Sequence, residues 1–395
     1  MRAASRLGNL PVYPFARWGR YVEAVRQKGL GLSDGVIRLD IGGPDLPPPP
    51  AVVEVLCEAA SQPDAHQYPG YRGLSTLREA MADYYRRRFD VALDPETQIL
   101  PLIGSKEGII NMALASLDPG GLVLVPDPGY APYAMGAALA GAEVQSFPLL
   151  PELGFLPDLE MIPPGAADRA DLIWLNYPNN PTGATADLEF FTRAAEYARR
   201  HGLLLCHDAP YCDIGYDGYV APSLLQVPGA LDVGVEFNSL SKTYNMPGWR
   251  LGMAVGNAGA LALLAQVKSN MDSGIFRPLQ EAAVRALSVD PAWIDERNEI
   301  YRHRREIILQ DLQVLGLEAS RPSASLYIWA RVPDNWTSEA FALAVLQQTA
   351  VAVAPGSFFG QGGEGYMRFS ITAPAERLRE AMARLSGAWD QLLDR

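Results

Sequence analysis

LLLCHDAPY (203–211), flanked by DLIWLNYP (171–178) and VGVEFNSLS (233–241), decides the fold. Each is a short, mostly apolar run that ends abruptly in polar residues, proline or small hydroxyl residues. An apolar run without strict polar alternation reads as a strand buried on both faces, the situation in a parallel sheet covered by helices. Working outward, ILPLIG (99–104) and LVLVPDP (122–128) have the same form. Helical stretches at 51–61, 73–89, 105–117, 130–140 and 187–201 are interleaved with these runs. The alternation over 51–285 predicts an α/β domain with a mainly parallel sheet. Such sheets bind ligands at the carboxyl ends of their strands. The polar and glycine-rich segments gather there: GSK (104–106), DPGY (127–130), NYPNNPTG (176–183), HDAPY (207–211) and SLSK (239–242).

Beyond residue 286 the texture changes. A long helix at 291–314 precedes strand-like ASLYIWARV (324–332), a helix at 337–348, VAVAPG (351–356), MRFSITAP (367–374) and a last helix at 375–392. This pattern predicts a smaller α+β domain over 286–395. Residues 1–50 read as an N-terminal arm with one short helix near 16–29, packing with that second domain. The arm ends in IGGPDLPPPP (41–50), whose prolines impose an extended connector.

The chain of 395 residues is 48% apolar and 20% charged, enough to bury cores in two domains and incompatible with disorder over most of its length. A net charge of −12 argues against nucleic acid or an anionic membrane as the main partner. No apolar run approaches the roughly 20 residues of a membrane helix. The opening MRAASRLGNLPVYPF lacks the apolar segment of a signal peptide. Cys57, Cys206 and Cys212 make neither a metal spacing nor an even disulfide set, and with only four histidines no metal site is expected. Free cysteines suit a reducing, cytoplasmic setting. Only four lysines occur, Lys28, Lys106, Lys242 and Lys268, so any chemistry that needs an amine has four candidates.

Lys242 lies in SLSKTYNMPGWRLG (239–252), just after a strand, with Arg250 eight residues on. An amine at a strand end beside an arginine and hydroxyls suits a Schiff base next to a phosphate, because a nearby cation or partial burial lowers the amine pKa. Taken alone, the motif reads first as a surface lysine at a strand end. Asp208 ends an apolar run, where a carboxylate needs a partner. That partner is a protonated ring nitrogen, unless the aspartate only caps a turn. Tyr211, three residues on, can reach the same ring. In NYPNNPTG, two prolines and Gly183 fix the Asn180 amide rigidly at a strand end. Gly104, Ser105 and Lys106 join a strand to a helix N-terminus, whose N–H groups favour phosphate; Ser239, Ser241 and Arg250 can complete that shell. Tyr130 can stack on a planar ring or pack at the rim. Arg368, alone in the apolar strand MRFSITAP, wants a carboxylate: a substrate's, or one of the protein's own.

In order along the chain, these segments resemble the class I/II aminotransferases of the pyridoxal-phosphate fold type I superfamily. The resemblance runs from LPVYPFARW (10–18) through IGGPDLPPP (41–49), YPGYRGLSTLREA (68–80), LIGSKEGI (102–109), NYPNNPTG, DAPY and SLSKTYNMPGWRLG to VAVAPGSFF (351–359) and GEGYMRFSITAP (363–374). It implies a seven-stranded, mainly parallel sheet, a homodimer with shared active sites and pyridoxal 5′-phosphate as cofactor. It also implies roles. Lys242 forms the Schiff base with the cofactor and carries the proton. Asp208 keeps the pyridine nitrogen protonated. Asn180 and Tyr211 bond the 3′ oxygen, and Tyr130 stacks on the ring. Gly104, Ser105, Lys106, Ser239, Ser241 and Arg250 surround the phosphate, which Tyr68 reaches from the partner subunit. Arg368, Asn180 and the Gly42 backbone grip the substrate α-carboxylate.

Within the superfamily, the arm, the GSKEG turn and SNMDSGIFRPLQEAA (269–283) look most like the LL-diaminopimelate aminotransferase-type subgroup. Two positions depart from the pattern. Gly43 stands where relatives carry an acidic or polar residue, and Arg277 where they carry a neutral polar one. Arg277 either binds a distal carboxylate, pointing to glutamate, aspartate or LL-diaminopimelate, or lies on the surface. The implied reaction is ping-pong transfer of an amino group between an L-amino acid and a 2-oxo acid. The alternative is another reaction hosted by the fold: β-lyase, decarboxylase, cyclase or oxidase. A ligand-sensing half of a transcription regulator is disfavoured, since the arm is neither long nor basic enough for a DNA-binding domain.

Overall fold

The computed structural model describes residues 7–8, 10, 13–28 and 35–394. The remainder of the expected arm (1–6, 9, 11–12 and 29–34) lies outside the described residues. The chain runs through α1 (Pro14–Lys28), β1 (Ile37–Arg38), α2 (Pro50–Ala60) and α3 (Ser75–Phe89) into β2 (Ile99–Leu102), α4 (Ser105–Ser116), β3 (Leu122–Asp127), α5 (Pro132–Ala140) and β4 (Glu143–Pro148). Next come α6 (Pro164–Ala167), β5 (Ala170–Leu175), α7 (Leu188–His201), β6 (Leu204–Asp208), β7 (Gly234–Ser239), the single turn α8 (Leu240–Thr243), β8 (Gly252–Gly256), α9 (Ala258–Lys268) and α10 (Arg277–Leu287). The rest is α11 (Pro291–Val314), β9 (Tyr327–Arg331), α12 (Ser338–Thr349), β10 (Val351–Ala352), β11 (Ala354–Pro355), β12 (Tyr366–Ser370), α13 (Ala375–Gly387) and α14 (Trp389–Leu393).

The central sheet has seven strands in the order β2-β8-β7-β6-β5-β3-β4. Strands β7, β6, β5, β3 and β4 are mutually parallel, while β8 runs antiparallel to both β7 and β2. This is the α/β, mainly parallel architecture that the apolar runs implied. Leu124, Leu172, Leu205 and Phe237 are fully buried along its strands. Each such side chain contributes about 1.5–3 kcal/mol by leaving water. The sequence reading did not contain β4 or β8. EVQSFP at the edge keeps a largely exposed, polar face, and GMAVG offers mainly small side chains. The first lacks the continuous apolar run by which the other strands were found; the second is short and has only three side chains between its glycines.

Helix ends follow local chemistry. Asp187 accepts from the Phe190 N–H to start α7, and Gly202, at φ 68°, ends it in the left-handed region that glycine adopts without strain. The proline run leads into α2 with Pro49 extended at φ −54°, ψ 132° and a proline in the helix's first turn, where its missing N–H costs nothing.

A second body forms around the three-stranded antiparallel sheet β11-β12-β9. The chain's beginning joins it. Strand β1 pairs in parallel with β10, and Trp18, Val22 and Val25 of α1 share a core with Trp329, Phe341 and Phe369. Helix α11 spans both bodies: Trp293 and Ile294 pack on the core under α3 and α10, while Tyr301, Ile308 and Leu312 belong to the second body's core.

Candidate active site

The carboxyl ends of β5, β6 and β7 open into a cavity of about 420 Å³, closed on the far side by residues 40–43, Tyr327 and Arg368 of the second body and by Tyr13 and Phe15 before and within α1. Lys242, in the single turn after β7, points its Nζ at the Gly42 carbonyl, 2.6 Å away. Burial brings its pKa down to about 8, aided by the guanidinium groups of Arg368 and Arg250 and opposed by Asp208. The amine is therefore half deprotonated near pH 8, where an unperturbed lysine stays almost wholly charged, and so supplies a neutral nucleophile or base more readily.

Asp208 ends β6. Its Oδ2 accepts from Tyr133 Oη at 2.8 Å, while Oδ1 is buried without a partner. Burial pushes its pKa up to about 6, with the Tyr133 hydrogen bond and the neighbouring His207 and Lys242 pulling the other way. Asn176 ties this region together: its Nδ2 donates to the Asp208 carbonyl at 2.6 Å, and its Oδ1 accepts from the Asn180 N–H at 2.8 Å. The Asn180 Oδ1 accepts from Arg368 at 2.6 Å, so the atom that amide presents elsewhere is its donor nitrogen. The Tyr211 and Tyr327 hydroxyls lie 2.8 Å apart, and burial raises the Tyr211 pKa well above its usual value.

Arg368 is 3% exposed. It donates to the Asp40 carbonyl at 2.8 Å and leaves Nε without a partner. Its guanidinium lies over the rings of Tyr327 (4.1 Å), Phe359 (4.6 Å) and Phe15 (5.6 Å). No carboxylate of the described residues forms an ion pair with it, which leaves it available to a ligand's. Beneath it, Gly42 touches Tyr327 so closely that a Cβ would fall 1.9 Å from the tyrosine oxygen.

At the other end of the cavity, Gly104 adopts φ 80° and a Cβ there would lie 2.3 Å from Arg250 Nη2. Ser105 and Lys106 then open α4. Ser239 Oγ accepts from the Ser241 N–H at 3.2 Å, and Ser241 Oγ is buried and unpartnered. Arg250 sits in the left-handed region at φ 57°. A helix N-terminus, two hydroxyls and a guanidinium converge here, the donor set of an oxyanion site. Lys106 lies over the Tyr13 ring at 4.5 Å, its pKa lowered by burial and by Arg250. Tyr130 is edge-on to Tyr133 at 5.7 Å along the wall between these ends.

Of the residues singled out from the sequence, Gly42, Ser105, Lys106, Tyr130, Asn180, Asp208, Tyr211, Ser239, Ser241, Lys242, Arg250 and Arg368 line this one cavity, and Gly104 abuts it through Arg250. Tyr68 and Arg277 do not. They share a surface depression, with Tyr68 89% exposed and Arg277 paired with Asp64 and Glu281, each at 2.7 Å. The sequence reading missed Tyr13, Phe15, Asp40, Asn176, Tyr327 and Phe359, which also line the cavity. Asn176 stood inside the quoted NYPNNPTG, Tyr13 and Phe15 inside LPVYPFARW, Tyr327 inside ASLYIWARV and Phe359 inside VAVAPGSFF, but nothing local in those segments marks these residues as cavity lining.

A lysine at a strand end, an aspartate with one free oxygen and an oxyanion cradle, on a sheet of this order, define a fold type I, pyridoxal-phosphate-dependent enzyme. The model of the family "Aminotransferase class I and II" matches residues 34–385, and the chain belongs to that family. It is a transaminase, moving an amino group between an amino acid and a 2-oxo acid. The chain is 48% identical over 387 residues to the LL-diaminopimelate aminotransferase of Dehalococcoides mccartyi strain CBDB1, covering 98% of this chain and 99% of that one. It is 44% identical over 390 residues to the enzyme of the same name from Gloeobacter violaceus, covering 98% of each. Among solved structures, substrate-bound BacF from Bacillus subtilis superimposes with a TM-score of 0.93 at 36% identity over 98% of both chains. A probable N-succinyldiaminopimelate aminotransferase from Thermus thermophilus does so with a TM-score of 0.88 at 37% identity, over 95% of this chain and 99% of that one.

Proposed function

We propose that this aminotransferase holds pyridoxal 5′-phosphate in the strand-end cavity. There it transfers the amino group of a dicarboxylic amino acid (LL-diaminopimelate, glutamate or aspartate) to a 2-oxo acid by a ping-pong cycle. The observation that carries the reading is the buried, unpartnered Oδ1 of Asp208 in the same cavity as Lys242. A carboxylate oxygen without a donor is costly, and a protonated ring nitrogen supplies that donor. The unpartnered Ser241 Oγ and the absence of room for a side chain at Gly104 support a phosphate at the other end. When bound, the group supplies an electron sink for charge developing at the substrate α-carbon.

The chain's own residues do the rest. Asp208, through its free Oδ1, would hold the ring nitrogen protonated by charge. Asn180, through Nδ2, and Tyr211 would donate toward the ring oxygen, and Tyr130 would pack on the ring. Ser105, Lys106, Ser239, Ser241 and Arg250 hold the phosphate. Arg368, with the Asn180 amide and the Gly42 backbone, orients the substrate α-carboxylate. Lys242, its amine increasingly neutral above pH 8, would serve as the base that takes the substrate α-proton. We propose the division into an arm over 1–50, a large cofactor domain over 51–285 and a small domain over 286–395.

We infer a homodimer in which Tyr68 reaches the partner's phosphate and Arg277 the distal carboxylate of its substrate. The exposed Tyr68, Tyr71, Met271 and Phe276 support it, since exposed aromatic and apolar residues mark association surfaces. A cytoplasmic setting fits the free cysteines. Among the described residues no helix is long and apolar enough to cross a membrane.

The test is a visible spectrum of the purified protein with LL-diaminopimelate, glutamate and aspartate added singly. A cofactor band that bleaches with one of them and returns on adding a 2-oxo acid supports the assignment and ranks the donors. A band that none of the three changes removes the dicarboxylate proposal.

A further inference from the structure

Behind Lys242, outside the cavity lining, an arginine of α11 makes an unusual set of bonds. Arg297 is 2% exposed, yet no carboxylate of the described residues is paired with it. Instead its guanidinium serves main-chain carbonyls. Nη1 donates to the Lys242 carbonyl at 2.9 Å and also to that of Thr243; Nη2 donates to the Asp213 carbonyl at 2.6 Å. Asn298 adds Nδ2 to the same Asp213 carbonyl at 3.0 Å and accepts from Arg297 Nη2 at 2.7 Å. The Asp213 carboxylate is engaged elsewhere, by Arg88 Nε at 2.9 Å and Tyr84 Oη at 2.6 Å.

A buried guanidinium without a counter-ion is expensive. Here the three carbonyl dipoles are its counter-charge. The carbonyls also need it. Lys242 and Thr243 end the one-turn helix α8, whose last carbonyls have no partner within the helix. Arg297 caps that end. Asp213 lies two residues beyond Tyr211 in the turn after Asp208. One side chain therefore ties together the main chains that carry the amine and the aspartate-tyrosine pair.

The same helix grips the opposite wall. Seven residues on, and so on the same face, Arg304 makes a forked pair with Asp45 at 2.7 and 3.0 Å. That residue continues the 40–43 loop, whose Gly42 carbonyl receives Lys242 Nζ. Helix α11 thus holds the lysine's main chain at one point and the loop that receives its amine at another.

We propose that Arg297 is a positioning residue for Lys242: through the carbonyls of residues 213, 242 and 243 it fixes where the amine points, without touching cofactor or substrate. The proposal rests on the assignment of Lys242 as the reacting amine. It predicts a split between turnover and binding, because Arg297 does not line the cavity.

The test compares Arg297→Met, which removes all the donors at similar length, with Arg297→Lys, which keeps the charge and loses the fork. In the loaded enzyme, Arg297→Met is expected to lower kcat about tenfold or more while KM stays within about threefold, with Arg297→Lys between it and the wild type. The second readout does not use activity: the pH dependence of Lys242 Nζ modification in the cofactor-free full-length chain, followed by mass spectrometry. The wild-type midpoint is expected at about 8. The Arg297→Met midpoint should move upward by half a unit or more as the amine escapes its buried position. If both variants melt lower but keep the wild-type kcat and midpoint, Arg297 is merely structural and the proposal fails. Should Arg297→Met not fold, Arg297→Lys carries the same comparison. Lys242→Ala separates the two readings. Full turnover in that variant sinks the lysine assignment and this inference with it. An inactive Lys242→Ala beside normal Arg297 variants sinks this inference alone.

Discussion

The strand-end cavity and the surface depression around Tyr68 were both legible as functional regions, yet they differ in physical state. In the cavity, polar atoms are buried and short of partners: Asp208 Oδ1, Ser241 Oγ and Arg368 Nε. In the depression, Arg277 already has two carboxylates and Tyr68 stands almost wholly in solvent. Buried polar groups are normally satisfied, so an unsatisfied cluster marks where a ligand completes the structure. A satisfied cation beside an exposed aromatic marks a surface that is finished by itself or covered by another chain. The first region asks for a ligand within this chain; the proposed dimer gives the second its role.

Breaking the first region has the largest effect. Lys242→Ala is expected to reduce multiple turnover by about a thousandfold or more, since among the described residues the only other lysine lining the cavity is Lys106, at its opposite end. Steady-state assays with excess donor and acceptor check this, and persistent full activity overturns the assignment.

Asp208→Asn comes next, at about a hundredfold or more in kcat, because the amide cannot hold a proton on a ring nitrogen by charge. It also has a pH signature in the cofactor-free chain. The Asp208 pKa is raised to about 6 in the fold, against about 3.9 in an unfolded chain. The folded state therefore binds more protons between these values, and the Asp208 contribution to stability is lost as pH rises through 6. The asparagine variant should gain stability relative to the wild type between pH 4 and 6.5. Parallel denaturant titrations showing a constant difference would remove the buried-carboxylate account.

Arg368→Lys keeps the charge but loses the planar fork. A rise in KM for the amino donor of about tenfold to a hundredfold is expected, with a smaller change in kcat. An unchanged KM would mean that another group grips the α-carboxylate.

The smallest effect sharpens the contrast with the depression. Arg277→Gln should cost little stability, since its ion pairs are exposed. It should lower kcat/KM about tenfold for donors with a distal carboxylate and leave donors without one unchanged. Equal losses for both kinds of donor would confine Arg277 to its pairs with Asp64 and Glu281. Light scattering of the purified protein checks the dimer on which this depends.

Much of the site could be read because β5, β6 and β7 each deliver chemistry within a few residues of their ends: Asn180, Asp208, Tyr211, Lys242. Contiguity preserves the signal. Tyr327 and Phe359 sit in apolar segments of the second body and look like ordinary core until the fold turns them toward Arg368. Tyr13 lies far from every strand end in sequence and meets Lys106 only through packing. Arg297 was hidden differently. In PAWIDERNEIYRHRREIILQDLQV a charged residue reads as solvent-facing, and nothing local tells the buried arginines 297, 304 and 305 from the partly exposed Arg302.

By itself the sequence determined the alternation of apolar runs and helices, hence a mainly parallel sheet, and the identity of the groups at its strand ends. Both follow from local rules: burial on two faces selects continuous apolar strands, and chemistry attached to a strand end travels with it. Only the tertiary structure decided which atoms remain unpartnered, which arginines are buried, and that Tyr68 and Arg277 stand apart from the cavity of their own chain. Those outcomes depend on distances between residues far apart in sequence, and on the removal of water as two bodies close around one helix.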